Sequence, residues 1–428
     1  MTAMTMTSAV GRVETRFTTV AARGLRLDCG RRFGPITVAW EQYGAVNRDR
    51  TNVVLVCHAL SGGAHAAGWH EGGGKAGWWD ALIGPGRAFD TTRYCVVCTN
   101  VIGGCYGTTG PASVDPTTER PYGPDFPPVT IWDMVRVQRE LLAHLGVRSL
   151  AAVAGGSMGG MQALAWAALF PDWVRSVVAI AATDRHSPQQ IAFNEVARRA
   201  ITADPEWREG RYETGAGPVA GLAVARMLGH VTYLSDAGME RKFGRRLVEA
   251  PAQRPWEAEF EVVRYLAHQG RSFVRRFNAN ALLCLTRAID SFDLGECGGS
   301  LEAALGRTRA RFLLLAFSSD WLYPPAQLAR VARAARRAGL EVTYRCLASD
   351  RGHDAFLLEH EQLAPVIRGF LDPPLLLDGE HAPHPEGEVP REGADEHVVA
   401  ARGRRGERRL GRLAGTDQPG VGQELGRD

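Results

Sequence analysis

Several features that would assign the chain to a special class are missing from its 428 residues. Lysine is nearly absent, since only Lys75 and Lys242 occur and arginine carries the remaining positive charge. The net charge of +3 is too small to indicate a nucleic-acid or membrane partner. No apolar run is long enough to span a bilayer, and Met1 to Thr19 lack the basic and apolar pattern of a secretory signal. We therefore expect a cytoplasmic protein without nucleic-acid or membrane partners.

The eight cysteines lack the spacing of a zinc site or a redox motif. Cys95 and Cys98 form a C-x-x-C pattern, but they fall in a strand-like run that begins at Tyr94. Residues three apart in a strand point to opposite faces, so these two thiols are not expected to meet. No second C-x-x-C pattern is present to complete a metal site. We expect no metal, and we interpret the cysteines as buried structural thiols of a reducing compartment.

Apolar runs alternate with helix-like runs along most of the chain, which predicts an α/β fold. The predicted strands are 35–43, 52–57, 94–99, 150–154, 177–181, 311–317 and 341–347. A continuous apolar run such as 52–57 is expected of a strand that is buried on both faces of a sheet. A helix is also predicted after Thr130 and Asp133, which have the spacing of an N-terminal cap.

The alternation stops after Thr183, and helices separated by turn residues follow up to about Ala288. Helices inserted after a mid-sheet strand suggest a cap that excludes water and shapes a pocket. We therefore predict a core of residues 1–184 and 296–372 with a helical cap or lid in residues 185–295. No aromatic residue follows Phe370, and residues 373–428 are rich in Gly, Pro, Glu and Arg, which predicts a disordered tail.

The stretch Gly155-Gly156-Ser157-Met158-Gly159 joins a predicted strand to a predicted helix. Strand, tight turn and helix form the context of a G-x-S-x-G nucleophile elbow. In such a turn the serine side chain projects beyond the end of its strand, and the N–H groups that begin the helix favour an oxyanion. We interpret Ser157 as a nucleophile rather than as an incidental serine in a glycine-rich turn.

Ser157, Asp320 and His353 each follow a predicted strand, in the chain order of the α/β-hydrolase catalytic triad. A serine hydroxyl needs a neighbouring imidazole to take its proton, and a carboxylate must orient that imidazole. The carboxyl ends of parallel strands meet at one edge of a sheet, so these distant residues are able to converge. Candidates that fit less well are Asp290, Asp293 and Asp350 for the acid, His58, His186, His230 and His268 for the base, and Cys105 for the nucleophile.

Four further residues complete the predicted site. The backbone N–H of Met158 and that of Leu60, in the loop after strand 52–57, are expected to form an oxyanion hole. Asp354 follows the predicted catalytic histidine and suits a substrate ammonium group, while Arg226 suits a carboxylate. Taken alone, each is better explained as an ordinary salt-bridging residue. The residues thus indicate a serine acyl-enzyme under a helical lid, and they leave open whether water, an alcohol or an amine accepts the acyl group.

Several longer stretches resemble the homoserine O-acetyltransferase family of α/β-hydrolase-fold enzymes, over roughly residues 15 to 372. The matching stretches are His58 to Gly62, Asn100 to Cys105 with Gly110 and Pro111, Gly155 to Gln162, Arg185 to Ser187, Gln189 to Asn194, Ala225 to His230, Thr232 to Ser235, and Gly352 to Phe356. The resemblance implies an α/β-hydrolase fold with an inserted helical cap. It also implies that Arg226 and Asp354 bind substrate.

The resemblance implies a ping-pong reaction in which Ser157 takes an acetyl group from acetyl-CoA and passes it to the hydroxyl of L-homoserine for methionine biosynthesis. His353 is then the base, Asp320 orients it, acetyl-CoA is a substrate, and no cofactor is required. Family members are commonly homodimers through the cap helices. Related enzymes use succinyl-CoA or L-serine with the same triad, and a carboxylesterase would share it as well. The loops 100–111 and 127–130 resemble acetyl-type members.

Overall fold

The computed structural model describes residues 8–213, 216–248 and 259–372. Its centre is a sheet of eight strands in the order β1-β2-β4-β3-β5-β6-β7-β8. These strands are β1 (Arg16–Val20), β2 (Ile36–Tyr43), β3 (Val53–Cys57), β4 (Cys95–Thr99), β5 (Ala152–Gly156), β6 (Ser176–Ile180), β7 (Arg311–Phe317) and β8 (Val342–Leu347). Strand β2 runs antiparallel to both of its neighbours, and β3 to β8 are parallel.

The central strands are buried on both faces, as their continuous apolar runs predict. In β3, Val53 and Leu55 pack into one hydrophobic core, and Val54 and Val56 pack into the other core across the sheet. This alternation follows from the two-residue repeat of a strand, and it explains why every residue of β3 is apolar. The sequence analysis missed β1, whose five residues are mostly exposed and form no apolar run.

Eleven helices are found in the described part of the chain. They are α1 (Ile131–His144), α2 (Met158–Leu169), α3 (Pro188–Thr202), α4 (Val219–Tyr233), α5 (Asp236–Lys242), α6 (Glu261–Val274), α7 (Ala279–Asp290), α8 (Leu301–Leu305), α9 (Pro325–Arg337), α10 (Ala355–Leu358) and α11 (His360–Leu371). The predicted cap of α1 is present, because the Thr130 hydroxyl accepts from the N–H of Asp133 and the Asp133 carboxylate accepts from the N–H of Thr130. None of these helices is long and apolar enough to cross a membrane.

Helices α3 to α7 lie between β6 and β7 in the chain, where the β/α alternation of the sequence stops. Helix α4 packs against both α3 and α6. Arg185 and Asp293 form an antiparallel bridge at the place where the chain leaves the sheet and returns to it. The helical segment between these two residues therefore starts and ends at one point above the sheet. The predicted tail, 373–428, lies outside the described residues.

The parallel strands bring their carboxyl ends to one edge of the sheet. The segments that follow β3, β5, β7 and β8 there contain Leu60, Ser157, Asp320 and His353, respectively. Residues separated by almost 300 positions in the chain thus become neighbours.

Candidate active site

Ser157 lies in the tight turn between β5 and α2, in the conformation that a nucleophile elbow requires. Its φ of 57° and ψ of −127° lie outside the regions that a residue with a side chain normally occupies. Its N–H donates to the carbonyl of Ile180 at 2.9 Å, which holds the turn against the sheet. Gly159 must be glycine, because an added Cβ would lie 2.1 Å from the carbonyl oxygen of Cys57. The close approach of α2 to β3 therefore depends on this residue.

Three side chains from separate loops form one hydrogen-bonded chain. Oγ of Ser157 lies 2.8 Å from Nε2 of His353, and Nδ1 of His353 lies 2.7 Å from Oδ2 of Asp320. All three residues are buried. The other carboxylate oxygen of Asp320 accepts a hydrogen bond from the N–H of Tyr323 at 2.8 Å, which fixes its orientation. The structure thus brings together the three residues that the sequence suggested as a triad.

The hydrogen-bond partners determine which atoms of these three side chains carry protons. An ionised carboxylate only accepts hydrogen bonds, so Nδ1 of His353 carries the proton that it shares with Asp320. Nε2 of the same ring is then unprotonated and accepts from the hydroxyl of Ser157. This tautomer is the one in which an imidazole is able to remove the serine proton during nucleophilic attack.

The backbone N–H groups of Leu60 and Met158 have no hydrogen-bond partner within the described part of the chain. Met158 is the first residue of α2, where N–H groups lack intrahelical partners and the helix dipole favours negative charge. Leu60 lies in the loop after β3 and lines the same cavity as Ser157. Both N–H groups are therefore available to an anion at the serine.

His58 shapes the loop that carries Leu60. Its Nδ1 donates to the carbonyl of Ala59 at 2.7 Å, and its Nε2 accepts from the N–H of Val101 at 3.1 Å. The bond that Nε2 accepts requires a neutral ring, and burial lowers the pKa of His58 to about 4. The ring thus connects the loop after β3 with the loop after β4. Neither of its two hydrogen bonds is to a residue of the triad.

Ser157 opens into a cavity of ≈ 200 Å³. The cavity is lined by loops of the sheet edge and by side chains from α3, α4, α6 and α7, including Phe193, Arg226, Phe273 and Thr286. The helical segment therefore contributes to the cavity of the serine.

Arg226 and Asp354 bring opposite charges to this cavity. The Arg226 guanidinium lies 4.7 Å from the ring centre of Phe273 and donates to Oγ of Ser61 at 3.4 Å. Burial raises the pKa of the Asp354 carboxyl, and the positive charge of Arg226 opposes that shift. Among the described residues, neither Arg226 nor Asp354 has an oppositely charged side chain within salt-bridge distance. Both charges are available to a ligand.

The alternative candidates have other partners. Asp290 accepts hydrogen bonds from His186 and Arg198, Asp293 pairs with Arg185, and Asp350 pairs with Arg241. Burial raises the pKa of the Cys105 thiol to about 11, so this cysteine is not ionised at neutral pH. These residues therefore do not form a competing triad.

Two tyrosines beside the triad were missed by the sequence analysis. The Tyr323 ring stacks on His353 with centroids 4.7 Å apart and 17° between the planes, and the Tyr233 centroid is 6.1 Å from that of His353. Both line the cavity. Their positions in the sequence could have indicated that they lie near the site. Tyr323 is three residues after Asp320, and Tyr233 is two helical turns after Arg226.

One group of side chains in the described residues has the spacing of metal ligands: Glu41, His65 and His70. Each carboxylate oxygen of Glu41 already accepts two hydrogen bonds, from His70 and Thr15 on Oε1 and from His65 and Tyr43 on Oε2. Hydrogen bonding therefore accounts for this buried carboxylate, and we assign no metal to it.

The strand order and the hydrogen-bonded serine, histidine and aspartate are those of an α/β-hydrolase-fold enzyme. Residues 52–360 accordingly match the family model described as alpha/beta hydrolase fold. A homoserine O-acetyltransferase of Methanosalsum zhilinae is 52% identical over 365 residues, which cover 85% of this chain and 74% of that protein.

Solved structures show the same relationship. The crystal structure of a homoserine O-acetyltransferase from Bacillus anthracis superposes with a TM-score of 0.79 and 28% identity, covering 84% of this chain and 98% of that one. The crystal structure of esterase E22 has a TM-score of 0.78 and 32% identity, covering 84% and 100%. The chain belongs to the homoserine O-acetyltransferase family of α/β-hydrolase-fold acyltransferases. The predicted fold class, family and enzyme class are confirmed.

Proposed function

We propose that the protein transfers the acetyl group of acetyl-CoA to the side-chain hydroxyl of L-homoserine, forming O-acetyl-L-homoserine for methionine biosynthesis. The observation that carries this proposal is the pair of opposite charges, Arg226 and Asp354, which line the cavity of Ser157 and have no salt-bridge partner among the described residues. A free amino acid presents a carboxylate and an ammonium group, which these two side chains would bind. The reaction needs no cofactor, because acetyl-CoA is itself a substrate.

In the first half-reaction, Oγ of Ser157 attacks the thioester carbonyl while Nε2 of His353 takes the serine proton. Asp320 stabilises the resulting imidazolium through Nδ1. The negative charge on the carbonyl oxygen is met by the N–H groups of Leu60 and Met158, and removing one such donor typically costs roughly 3 kcal/mol of transition-state stabilisation. The C–S bond then breaks, His353 returns the proton to the sulfur, and an acetyl-serine remains.

In the second half-reaction, the substrate hydroxyl replaces the thiol. Arg226 holds the carboxylate and Asp354 the ammonium group, so that the hydroxyl reaches the acetyl-serine. His353 takes the hydroxyl proton as the oxygen attacks, and it returns the proton to Oγ of Ser157 when the acyl-enzyme bond breaks. One imidazole therefore serves both halves.

The charges that line the cavity favour acetyl over succinyl as the acyl group. Arg226 is the only arginine or lysine among the described residues that line it. If Arg226 binds the carboxylate of the amino acid, a succinyl carboxylate would lack a cationic partner there. Acetyl has no charge to be matched.

Hydrolysis is the second candidate, because the esterase E22 structure superposes over the whole of its chain. An esterase needs the triad and the oxyanion hole, but it has no use for an arginine and a carboxylate that match the two ends of an amino acid. The two activities differ in the acceptor, which is water in one case and homoserine in the other.

We also propose a cytoplasmic homodimer, in which residues 185–295 form the cap and provide the interface. Helices α3, α4 and α6 expose apolar side chains, namely Ile191, Val196, Val219, Val224, Val231 and Val263, of which Val196 is 56% exposed. Single apolar residues scattered over a surface need no explanation, but six on helices that contact one another suggest a binding surface. A partner subunit that covered these helices would bury the six side chains.

The test is to incubate the purified protein with L-homoserine and either acetyl-CoA or succinyl-CoA, and to follow CoA release and the product mass. O-acetylhomoserine formed by the wild type and not by Ser157→Ala supports the proposal. CoA release that is independent of any amino acid would identify a hydrolase. A preference for succinyl-CoA or L-serine would correct the proposed specificity. Full activity of Ser157→Ala would show that Ser157 is not the nucleophile.

A further inference from the structure

A second hydrogen-bonded chain of side chains leads to the triad from the opposite direction. The Tyr323 hydroxyl lies 2.7 Å from Nε2 of His186, and Nδ1 of His186 lies 2.9 Å from Oδ1 of Asp290. Asp290 is held in turn by the amide of Asn194 at 2.7 Å and by the guanidinium of Arg198 at 2.6 Å. None of these contacts is needed for the acyl-transfer steps described above.

The proton positions in this chain follow from its ends. The Asp290 carboxylate accepts from Nδ1–H of His186, so Nε2 accepts from the hydroxyl of Tyr323. Burial raises the pKa of Tyr323, which keeps its hydroxyl protonated and able to donate. The arrangement repeats the order carboxylate, imidazole and hydroxyl of the triad beside it.

Tyr323 contacts both partners of Ser157. Its ring stacks on His353, and its backbone N–H donates to the carboxylate of Asp320. The hydroxyl bond to His186 determines where the far end of this ring lies. Any shift of Tyr323 therefore reaches the imidazole that must align with the serine.

The other end of the chain lies where the helical segment joins the core. His186 lies two residues before the start of α3, and Asp290 is the last residue of α7. The bridge between Arg185 and Asp293 lies beside them. The place where the helical segment begins and ends is thus connected to the catalytic imidazole through three side chains.

We propose that Asp290, His186 and Tyr323 form a positioning relay that holds His353 and Asp320 in line with Ser157 from the base of the helical segment. The proposal depends on the proposed function only in requiring Ser157 to be the nucleophile. It assigns Tyr323 and His186 a positioning role, because the contacts of Tyr323 are with the residues of the triad: its ring stacks on His353, its N–H donates to Asp320, and its hydroxyl lies beside Ser157.

Tyr323→Phe tests the relay, because it removes the hydroxyl and keeps the stacked ring and the backbone N–H. Acylation of Ser157 is measured as the burst of nitrophenol from p-nitrophenyl acetate, which requires neither CoA nor homoserine. We expect an acylation rate about tenfold lower, equivalent to about 1.4 kcal/mol, with KM changed less than twofold. Tyr344→Phe is the matched control, since that hydroxyl donates to the carbonyl of Pro325 outside the relay. It should keep its rate within twofold of the wild type.

A double substitution distinguishes a relay from separate packing effects. If Tyr323 and His186 act through one hydrogen bond, Tyr323→Phe combined with His186→Asn will be no slower than the slower single variant. Effects that multiply in the double variant, or a Tyr323→Phe rate within twofold of the wild type, would overturn the relay. If His186→Asn does not fold, the result for Tyr323→Phe decides alone. A wild type that shows the burst but acetylates no homoserine would refute the proposed function and leave the relay intact.

Discussion

At the scale of single residues, a variant of Arg226 distinguishes binding of the amino acid from the chemistry at Ser157. Its guanidinium lines the cavity but makes no hydrogen bond to the triad. We expect Arg226→Gln to raise KM for homoserine by roughly 10- to 100-fold, the loss of one charge-assisted hydrogen-bonded contact of about 1.5–3 kcal/mol. The burst with p-nitrophenyl acetate should stay within twofold, since that ester has no carboxylate.

The matched control is Arg264→Gln, on the exposed face of α6. It should change neither KM nor the burst. An Arg226→Gln variant with normal KM for homoserine and a slow burst would place Arg226 in the catalytic machinery instead of the binding site.

His58 provides a prediction about pH. Its folded-state pKa of about 4 is below the ordinary value of 6.5, so below pH 6.5 the unfolded chain binds a proton that the folded chain excludes. The stability due to neutral His58 is complete above pH 6.5 and is lost as the pH falls towards 4, a loss of roughly 3 kcal/mol at most. Burial also lowers the pKa of His230, to about 3, with the same sign.

Denaturant unfolding between pH 7 and 4 measures this effect. The free energy of unfolding should fall as the pH falls in the wild type, and it should fall less steeply in His58→Gln, because the contribution of His58 is then absent. His144→Gln, at an exposed position of α1, should follow the wild-type slope. Parallel slopes for the wild type and His58→Gln would contradict the proposed neutral, buried ring.

At the scale of helices and strands, replacing glycine by alanine should impair acylation in α2 and stabilise the protein in α11. Gly159→Ala places a Cβ 2.1 Å from the backbone of β3, so α2 must move and acylation should fall by at least 100-fold, from displacement of Ser157. Gly369→Ala meets no atom within 4 Å on the exposed face of α11 and should stabilise the protein by about 0.5–1 kcal/mol. Melting temperature and burst kinetics of both variants check this prediction.

The elements themselves were largely predictable, because their causes are local. Strand β3 is a run of five apolar residues, and the elbow combines an apolar run, glycines and a helix former within a short stretch. Strand β1 was not predictable in this way. Its sequence, Arg16–Val20, has no apolar pattern, and it becomes a strand because its backbone pairs with the edge of β2.

At the scale of the whole molecule, the exposed apolar side chains of α3, α4 and α6 provide a test of the proposed homodimer. We expect Val224→Asp to convert a dimer into a monomer, because an unpaired carboxylate would be buried at the interface. Sedimentation velocity measures the mass. Val46→Asp is the matched control, since Val46 is 37% exposed in the loop between β2 and β3, at the amino ends of the parallel strands, and should leave the mass unchanged. A wild type that is monomeric at micromolar concentration would refute the interface.

The sequence by itself determined the fold class and the family, and it predicted Ser157, Asp320 and His353 as a triad. These properties depend on short patterns, such as the elbow and Gly352 to Phe356, in which each residue type has a local reason. Only the tertiary structure decided which groups are in contact. The hydrogen bonds from Ser157 to His353 and on to Asp320 cross more than 30 positions each, and their lengths depend on the twist and order of the strands.

The second chain, from Asp290 through His186 to Tyr323, shows the same limit most clearly. No local sequence pattern connects these three residues with one another. They meet because the helical segment leaves and rejoins the sheet at one point, beside the loop after β7. The sequence therefore predicts the chemistry that depends on residue type. The packing of the helical segment on the sheet decides which distant residues become neighbours, and with them the chemistry that depends on such contacts.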